Sequence, residues 1–367
     1  MRYDVAIIGA GIAGASLAAE VAPYARVLLL EAEERPGYHA TGRSAAFWSE
    51  TYGGPAIQPL TSASRPLLAG HLEPLGSLHI GRATEAAAID AFVAEFEGTG
   101  VTLARFDPRA MIPGLRPEWT LGVHEPSCEY IDVGGLHEAY LAAARRAEAT
   151  IKFPAGLESA RREGSAWKIE TRAGAYEADI LVDAAGAWAD DIAIRAGVRP
   201  LGIQPYRRTM VQLKTDPAPS PGAPLVAHIG GSFYWKPEAG GRLWLSPHDE
   251  IASDPCDAQP EDIDVATAID RFEHVVDWRV EKLEHKWAGL RSFAPDRLPV
   301  YGFDAHAPGF FWCAGQGGFG IQTAPAAAKL AAAVLLGAAP DPSIAAIDPA
   351  RYSPSRFRDS DGRSLPP

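Results

Sequence analysis

The feature that most constrains the fold of this chain is a glycine-rich turn near its N-terminus. The motif GAGIAG at residues 9–14 follows a short apolar run at 5–8 and opens a helical stretch that extends to about residue 21. In such a strand–turn–helix unit Gly9 permits a tight turn, Gly11 lets a pyrophosphate approach the backbone, and Gly14 lets helix and strand pack closely. The pattern predicts an α/β fold with a dinucleotide at the helix N-terminus.

The residues after this helix strengthen the dinucleotide prediction. A second apolar run, VLLL at 27–30, ends at Glu31. A carboxylate at this position accepts hydrogen bonds from the ribose hydroxyls and repels a 2′-phosphate, so it disfavours NADP. A glycine turn alone is a weak signal. Together with the strand, the helix and the terminal glutamate it favours a dinucleotide site over a chance glycine turn.

Composition excludes several other classes of protein. Hydrophobic residues make up 47% of the 367 residues, which suffices for a packed core. Acidic residues outnumber basic ones by 46 to 34, and the net charge of −12 argues against a nucleic-acid-binding protein. The three cysteines form no CxxC pair, so neither a disulfide framework nor a metal centre is predicted. No apolar run is long enough to span a bilayer, and we expect a cytoplasmic protein.

The order of the expected elements predicts a discontinuous first domain with a second domain inserted in two pieces. Helices are expected at 85–97, 133–148 and 263–277, and buried strands at 180–183 and 310–314. Short aromatic-rich strands over 206–285 indicate a β-rich, α+β unit. We assign residues 1–50, 126–205 and 286–355 to a Rossmann-like dinucleotide-binding domain, 51–125 and 206–285 to a substrate-binding domain, and 356–367 to a flexible tail.

Two further segments bear on which dinucleotide is bound. The segment TGRSAA at 41–46 suits a second pyrophosphate contact, although a surface loop with a solvated arginine is the plain alternative. The segment GQGGFGIQT at 315–323 joins a buried strand to a long helix, and it places four glycines within six residues. Glycines cost backbone entropy on folding, so this density favours a backbone that lies against a flat ring. A helix N-terminus there would stabilise an anionic flavin.

Five motifs in a fixed order carry a resemblance to a known family. They are GAGIAGAS, GYHATGRSAA, LVDAAGAW at 181–188, WAGLRSFAPD at 287–296 and AGQGGFGIQT at 314–323. From residue 1 to about 355 the chain resembles the D-amino-acid oxidase (DAO) superfamily of flavoproteins, and among its members it is most similar to D-arginine dehydrogenase. The resemblance implies FAD, with contacts from Gly9, Gly11, Ala13, Gly14, Glu31, Ala32, Thr41, Gly42, Arg43, Ser44, Ala45, Ala46, Leu157, Ala185, Gly186, Trp188, Gly317, Gly318, Phe319, Gly320, Ile321 and Gln322.

The resemblance also implies the substrate site. Arg291 matches the residue that binds the substrate carboxylate, and its planar fork suits a bidentate pair. Tyr52 and Tyr234 match two pocket tyrosines, and Gly318 and Gln322 match positions at the flavin and substrate. Taken alone, the tyrosines would be packing aromatics and the arginine a surface ion pair.

Departures from D-arginine dehydrogenase bear on specificity. Ser77 or its neighbour Leu78 replaces the glutamate that pairs with a guanidinium, and Phe47 replaces a histidine. Ser49 replaces a threonine. We therefore expect a less polar pocket, lined by Phe47, Trp48, Ala227 and Ile229, with Ser77 and His79 near that wall. Glu50 is the one nearby acid that could restore cation binding if it points inward.

Two absences bear on the flavin chemistry. Sarcosine-oxidase relatives attach flavin through a cysteine, but Gly289 or a neighbour stands at that position, so FAD is expected to be non-covalent. Trp244 replaces the lysine with which those relatives activate oxygen, although Lys236 is close in sequence. Fewer positive charges near the flavin favour a dehydrogenase over an oxidase.

These features predict an FAD-dependent amino acid dehydrogenase with an unknown electron acceptor. The expected reaction is hydride transfer from the α-carbon of a D-amino acid with an apolar or aromatic side chain to flavin N5, which gives an imino acid and then a 2-oxo acid. Arg291, Tyr52 and Tyr234 would bind and orient the substrate. The alternatives are a glycine- or sarcosine-type amine oxidase, a 2-hydroxy-acid dehydrogenase, and a flavin-binding protein without turnover.

Overall fold

The structure is a computed structural model that describes residues 2–357. Most of the predicted tail at 356–367 lies outside the described residues, although Arg356 forms an ion pair with Asp296. The seven helices of the described range are α1 (Ile12–Val21), α2 (Gln58–Ser64), α3 (Ala86–Glu95), α4 (Val133–Arg146), α5 (Ala189–Arg195), α6 (Asp262–Glu273) and α7 (Gly320–Leu336). None of them is long and apolar enough to cross a membrane.

A first sheet has a parallel centre. Its strands are β1 (Arg2–Ile8), β2 (Val27–Leu30), β9 (Thr150–Lys152), β10 (Leu157–Glu163), β11 (Ala166–Thr171), β12 (Gly174–Asp183), β19 (Val300–Phe303) and β20 (Phe310–Ala314). Strand β1 lies between β12 and β2, parallel to both, and Ile8 stands opposite Leu30 and Asp183. The carboxyl ends of these strands therefore meet at one edge, where α/β sheets bind ligands.

A second sheet is mostly antiparallel. Its strands are β5 (Ser77–Arg82), β6 (Ala104–Arg105), β7 (Trp119–Glu125), β13 (Gln204–Asp216), β14 (Leu225–His228), β15 (Tyr234–Glu238), β16 (Arg242–Ser246), β17 (Ile251–Ala252), β18 (Arg279–Phe293) and β21 (Gln316–Gly317). Its longest pairing joins β13 to β18. A small third sheet contains β3 (Phe47–Trp48), β4 (Leu72–Pro74) and β8 (Glu129–Ile131).

The two large sheets have separate cores. Fully buried aliphatic residues such as Ile7, Leu17 and Leu29 join the first sheet to helices α1, α4 and α7. A second core joins Trp119, Trp235 and other residues of the second sheet to helix α6. Each core buries the apolar face of its own sheet, and this leaves the polar strand ends free to form a site between the sheets.

The α/β fold class is confirmed, and the predicted elements agree well with the observed ones. Strand β2 and strand β20 have the predicted bounds, and helices α3 and α4 end two residues earlier than expected. Helix α6 ends four residues early, at Glu273. Strand β18 continues without a break through the domain boundary drawn at 286. The division into domains remains a proposal.

Candidate active site

A cavity of about 530 Å³ lies where the carboxyl edge of the first sheet faces the second sheet. At one end it is lined by Gly9 and Glu31, which follow strands β1 and β2. At the other end it is lined by Tyr234 of β15 and Arg291 of β18. The cavity therefore connects the predicted dinucleotide motif to the predicted substrate residues.

The glycine turn has the close packing that its motif predicts. Gly9 has a φ of +100°, and a Cβ there would lie 2.5 Å from the carbonyl oxygen of Ala184. A Cβ on Gly14 would lie 1.9 Å from the carbonyl oxygen of Gly9, so any side chain would separate helix α1 from the turn. Gly11 is the N-cap residue of α1, and no side chain of its own caps the helix. The positive end of the helix dipole thus faces the cavity.

Glu31 is held rigidly at the end of β2. Its carboxylate accepts hydrogen bonds from the backbone amides of Ala10, at 2.8 Å, and of Glu33, at 3.0 Å, and it lines the cavity. His137 supports the same turn, because its Nε2 lies 2.8 Å from the carbonyl oxygen of Ala10. Sequence reasoning did not identify His137, which lies on α4, far from the turn in the chain.

The segment at 41–46 bridges the two sheets. The Thr41 hydroxyl accepts a hydrogen bond from the amide of Ile12, at 2.9 Å. The Arg43 guanidinium donates to the carbonyl oxygens of Ala258 and Ala288, at 2.9 and 3.1 Å, and forms an ion pair with Asp257. Because its donors have these partners, Arg43 joins the segment to the second sheet while it lines the cavity.

Arg291 is a cation without a protein partner. Within residues 2–357, no carboxylate lies within ion-pair distance of its guanidinium, which lines the cavity. Its Cζ lies 5.6 Å from the centre of the Tyr52 ring. Burial alone would lower the pKa of Arg291, but nearby acidic groups, Glu250 among them, hold it above its ordinary value. A half-buried, unpaired guanidinium that lines a cavity calls for an anionic ligand.

Arg208 is a second guanidinium at this end of the cavity. The residue is 4% exposed, and its Nε donates to the carbonyl oxygen of Asp249. Its Nη2 lies 3.5 Å from Glu250 Oε1, and its Nη1 is buried without a hydrogen-bond partner among the described residues. Burial, followed by the charge of Arg291, lowers the pKa of Arg208. The neighbouring Arg207 is paired with Asp264 and Glu261.

Aromatic side chains enclose the Arg291 end of the cavity. The Tyr52 hydroxyl is buried and has no hydrogen-bond partner among the described residues, and burial raises its pKa, so it stays a neutral donor. The Tyr234 hydroxyl donates to Met210 Sδ at 3.1 Å. The Phe47 ring lies 5.2 Å from that of Tyr52 and 6.1 Å from that of Tyr234, between centroids. All four side chains line the cavity.

Most of the predicted site residues are brought together. The predicted residues that line the cavity are Gly9, Gly11, Ala13, Glu31, Ala32, Thr41, Arg43, Ser44, Ala45, Ala46, Phe47, Tyr52, Leu157, Ala185, Gly186, Trp188, Tyr234, Arg291, Gly317, Gly318, Gly320, Ile321 and Gln322. Gly14 and Gly42 lie behind the lining, where each packs against a backbone carbonyl. Phe319 packs against the rings of Tyr52 and Phe293.

Several residues expected at the pocket wall lie elsewhere. Ser77 is 1% exposed, and its hydroxyl points away from the cavity to Glu125, at 3.2 Å. Glu50 also faces away, because its carboxylate accepts hydrogen bonds from Ser62 and Ser127. Four more residues were expected at the pocket wall but do not line the cavity, namely Trp48, His79, Ala227 and Ile229. The pocket wall is formed by Phe47, Tyr234 and Met210 instead.

Glu125 is the main polar residue that sequence reasoning missed. It ends β7, is wholly buried, and has no lysine or arginine within ion-pair distance in the described chain. Burial raises its pKa, although hydrogen bonds from Thr51, Ser49 and the Glu50 amide act in the opposite direction. Its pairing opposite Ser77 depends on the register of β5 and β7, which no local motif shows.

Comparisons with known proteins identify the family. A family model described as FAD dependent oxidoreductase (DAO) matches residues 4–334. The chain belongs to this DAO family. It is an FAD-dependent oxidoreductase, as predicted.

The relatives of this DAO-family enzyme include amine-oxidising proteins. Glycine oxidase from Geobacillus kaustophilus is 26% identical, and the match covers 90% of this chain and 92% of that protein. A crystal structure of glycine oxidase from the same organism has a TM-score of 0.82 at 25% identity and covers 97% of this chain and 99% of the other. Human mitochondrial dimethylglycine dehydrogenase is 25% identical, but the match covers only 44% of that protein. The narrower resemblance to D-arginine dehydrogenase remains a prediction.

The residues present in this DAO-family chain fit FAD. The turn at Gly9 admits no side chain, the N-terminus of α1 is uncapped by its own residue, and Glu31 is held at the ribose position of the motif. A second helix, α7, begins at Gly320 without a side-chain cap and also lines the cavity. One helix N-terminus can face the pyrophosphate and the other the flavin.

Four further residues bear on the flavin chemistry, and they are Lys236, Trp244, Cys256 and Cys313. Lys236 is buried outside the cavity lining, paired with Glu238, and its Nζ lies 4.4 Å from the centre of the Trp244 ring. Trp244 does not line the cavity either. Cys313 is buried in β20, whereas the exposed Cys256 lines the cavity. Among the described residues, the cationic side chains that line the substrate end of the cavity are Arg208 and Arg291.

Proposed function

We propose that this enzyme oxidises the α-carbon of amino acids with uncharged side chains, with the substrate carboxylate bound by Arg291. The observation that carries this proposal is the Arg291 guanidinium, which faces the cavity beside Tyr52, whose hydroxyl has no hydrogen-bond partner among the described residues. Arg208 also lines the cavity and adds a second positive charge at this end. A carboxylate has four lone-pair sites and can accept from several such donors at once.

The residues of the site bind and orient the substrate. FAD, when bound, supplies a two-electron acceptor for the hydride that leaves the α-carbon. Arg291 fixes the carboxylate, and the neutral Tyr52 hydroxyl donates to one of its oxygens, so the α-carbon is held in one orientation. The aromatic rings of Phe47 and Tyr234 exclude water from the reacting carbon. The substrate amine binds neutral, so loss of hydride from the α-carbon leaves a protonated imino acid without the need for a side-chain base. Water then hydrolyses this imino acid to a 2-oxo acid and ammonium.

The primary candidate substrate is a D-amino acid with an apolar or aromatic side chain. The carboxylates that line the cavity are Glu31, Glu33, Glu158 and Asp191, and all lie on or beside elements of the first sheet. At the Arg291 end, the described residues therefore provide no negative charge to pair with a cationic side chain of the substrate. The cationic side chain of D-arginine or D-lysine would lose its hydration there without gaining a counter-charge, which disfavours both amino acids as substrates.

Glycine or an N-alkylated glycine is the second candidate. The similarity to glycine oxidase and to part of dimethylglycine dehydrogenase favours it. The contacts between the rings of Phe47, Tyr52 and Tyr234 also limit the room beside the carboxylate site. A 2-hydroxy acid would satisfy Arg291 equally well, so only turnover separates it from an amine.

A substrate panel tests the proposal. The FAD-loaded enzyme is mixed anaerobically with D-leucine, D-phenylalanine, D-arginine, glycine, sarcosine, dimethylglycine and D-lactate, and bleaching of the flavin absorbance is followed. We expect uncharged amino acids to bleach the flavin and D-arginine to be slower than D-leucine. Bleaching by D-lactate alone, or by none of these compounds, would contradict the proposal. The same panel in air with a peroxide assay separates an oxidase from the proposed dehydrogenase.

A further inference from the structure

The buried carboxylate of Glu125 holds the segment that carries Tyr52. Its Oε2 accepts hydrogen bonds from the hydroxyls of Thr51, at 2.7 Å, of Ser49, at 2.9 Å, and of Ser77, at 3.2 Å. Its Oε1 accepts from the backbone amide of Glu50, at 2.7 Å. Three consecutive residues before Tyr52 therefore depend on one carboxylate from a different strand.

Gln322 holds the same segment from the opposite side. Its Oε1 accepts from the amide of Ser49, at 3.3 Å, and its Nε2 donates to the carbonyl oxygen of Tyr52, at 3.0 Å, and to the hydroxyl of Thr61, at 2.9 Å. The Tyr52 ring packs against Phe47 and Phe319, but its hydroxyl has no hydrogen-bond partner among the described residues. The backbone of 49–52, together with these ring contacts, therefore sets its position against Arg291.

We propose that Glu125 is a positioning residue for carboxylate binding: it fixes residues 49–51 and thereby places Tyr52 beside Arg291. The inference rests on the proposed function, because it assumes that the ligand is a carboxylate. Glu125 does not line the cavity and lies behind Ser49, Thr51 and Ser77. It thus acts through Tyr52 and has no direct contact with a ligand in the cavity.

A double-mutant cycle on the FAD-loaded enzyme tests this role. Benzoate, a simple carboxylate, is titrated against wild type, Glu125→Gln, Tyr52→Phe and the double variant, and binding is read from the perturbation of the flavin spectrum. The matched control is Glu50→Gln, whose carboxylate belongs to the same segment but faces Ser62 and Ser127. We expect Glu125→Gln to weaken benzoate binding roughly tenfold, the effect of a lost hydrogen bond to a charged group, and Glu50→Gln to leave it unchanged.

The cycle separates positioning from a general effect on stability. If Glu125 acts through Tyr52, the double variant binds benzoate no more weakly than Tyr52→Phe alone. If the losses of benzoate affinity in the two single variants multiply in the double variant, the inference is overturned. It is also overturned if Glu125→Gln binds benzoate as tightly as wild type does.

Amide hydrogen exchange of residues 49–52 provides a measurement that does not depend on any ligand. We expect exchange in this segment to be roughly tenfold faster or more in Glu125→Gln, and unchanged in Glu50→Gln. Unchanged exchange in Glu125→Gln would also overturn the inference. If wild type itself fails to bind benzoate, that result contradicts the proposed carboxylate site, and the exchange measurement still decides the role of Glu125.

Discussion

At the scale of single residues, the substrate end of the cavity has no spare room at Gly318. A Cβ there would lie 2.2 Å from the Tyr52 hydroxyl and 3.1 Å from Arg291 Cζ. We expect Gly318→Ala, assayed as the FAD-loaded enzyme, to push Tyr52 aside and to raise the substrate KM about tenfold, a usual cost of overpacking. Steady-state kinetics measure the effect. Gly134→Ala on α4 is the control, because its Cβ meets nothing closer than 3.8 Å. An unchanged KM in Gly318→Ala would contradict this packing.

Glu31 decides how firmly the cofactor is held. Glu31→Ala removes the acceptor of the Ala10 and Glu33 amides and the expected partner of the ribose hydroxyls. We expect FAD affinity to fall at least about tenfold, measured by reconstitution of the apoprotein with FAD. The exposed neighbour Glu34 serves as the control, through Glu34→Ala. Equal affinities of the two variants would mean that the ribose is held by other groups.

Sequence predicts those single residues whose chemistry belongs to a local motif. Glu31 and Gly9 were found because strand, turn and helix follow one another within 31 residues. Ser77 was expected in the pocket wall, but its hydroxyl points to Glu125 across the β5–β7 pairing. Side-chain direction in a strand depends on the register, and a long-range register has no local signal.

At the scale of elements, two glycines at the start of α1 have different roles: Gly14 is needed for folding, and Gly11 for cofactor binding. A Cβ on Gly14 would meet the Gly9 carbonyl, which is backbone and cannot rotate away, whereas one on Gly11 would meet only the Thr41 hydroxyl, at 3.2 Å. We expect Gly14→Ala to lower the free energy of unfolding by about 3 kcal/mol and to lose FAD. Gly11→Ala should keep near-normal stability but bind FAD less tightly. Urea denaturation and bound-FAD content measure both. Equal stability of the two variants would contradict the argument.

The first sheet was largely predictable from its elements, and the second sheet was not. Strands β1 and β2 and helix α1 are close in sequence and follow a known motif. In the second sheet, β14 pairs with β5, whose residues lie about 150 positions earlier in the chain. Arg208 and Glu125 belong to this sheet, and their roles depend on such distant pairings. For that reason Arg291 was identified through the family resemblance, whereas the roles of Arg208 and Glu125 became visible only in the structure.

At the scale of the whole molecule, buried histidines make stability depend on pH. Burial lowers the pKa of His79 to about 4 and, together with Arg208 and Arg291, that of His248 to about 3. In the unfolded chain both titrate near 6.5, so between that pH and about 4 the unfolded state binds more protons. Stability is therefore full above pH 6.5 and falls as the pH is lowered.

The contribution of His79 is directly testable. Its ring is tilted against Phe92, and its Nδ1 is buried with no hydrogen-bond partner in the part of the chain that the structure describes. We expect His79→Leu to lessen the drop in urea midpoint between pH 7.5 and 5, whereas His274→Leu, at an exposed position, leaves the drop unchanged. The same drop in wild type and His79→Leu would show that other groups cause the acid sensitivity.

The central claim for the molecule is that Arg291 binds the carboxylate of an amino acid, and kcat/KM of Arg291→Met tests it most directly. The substrate is the best one from the panel, and flavin content is measured in parallel. Loss of one partner of a buried charge pair costs about 2–5 kcal/mol, so we predict a decrease in kcat/KM of about 30- to 4000-fold with FAD retained. Arg291→Lys should restore only part, because an ammonium lacks the planar fork. Near-normal kcat/KM in FAD-loaded Arg291→Met would contradict the claim.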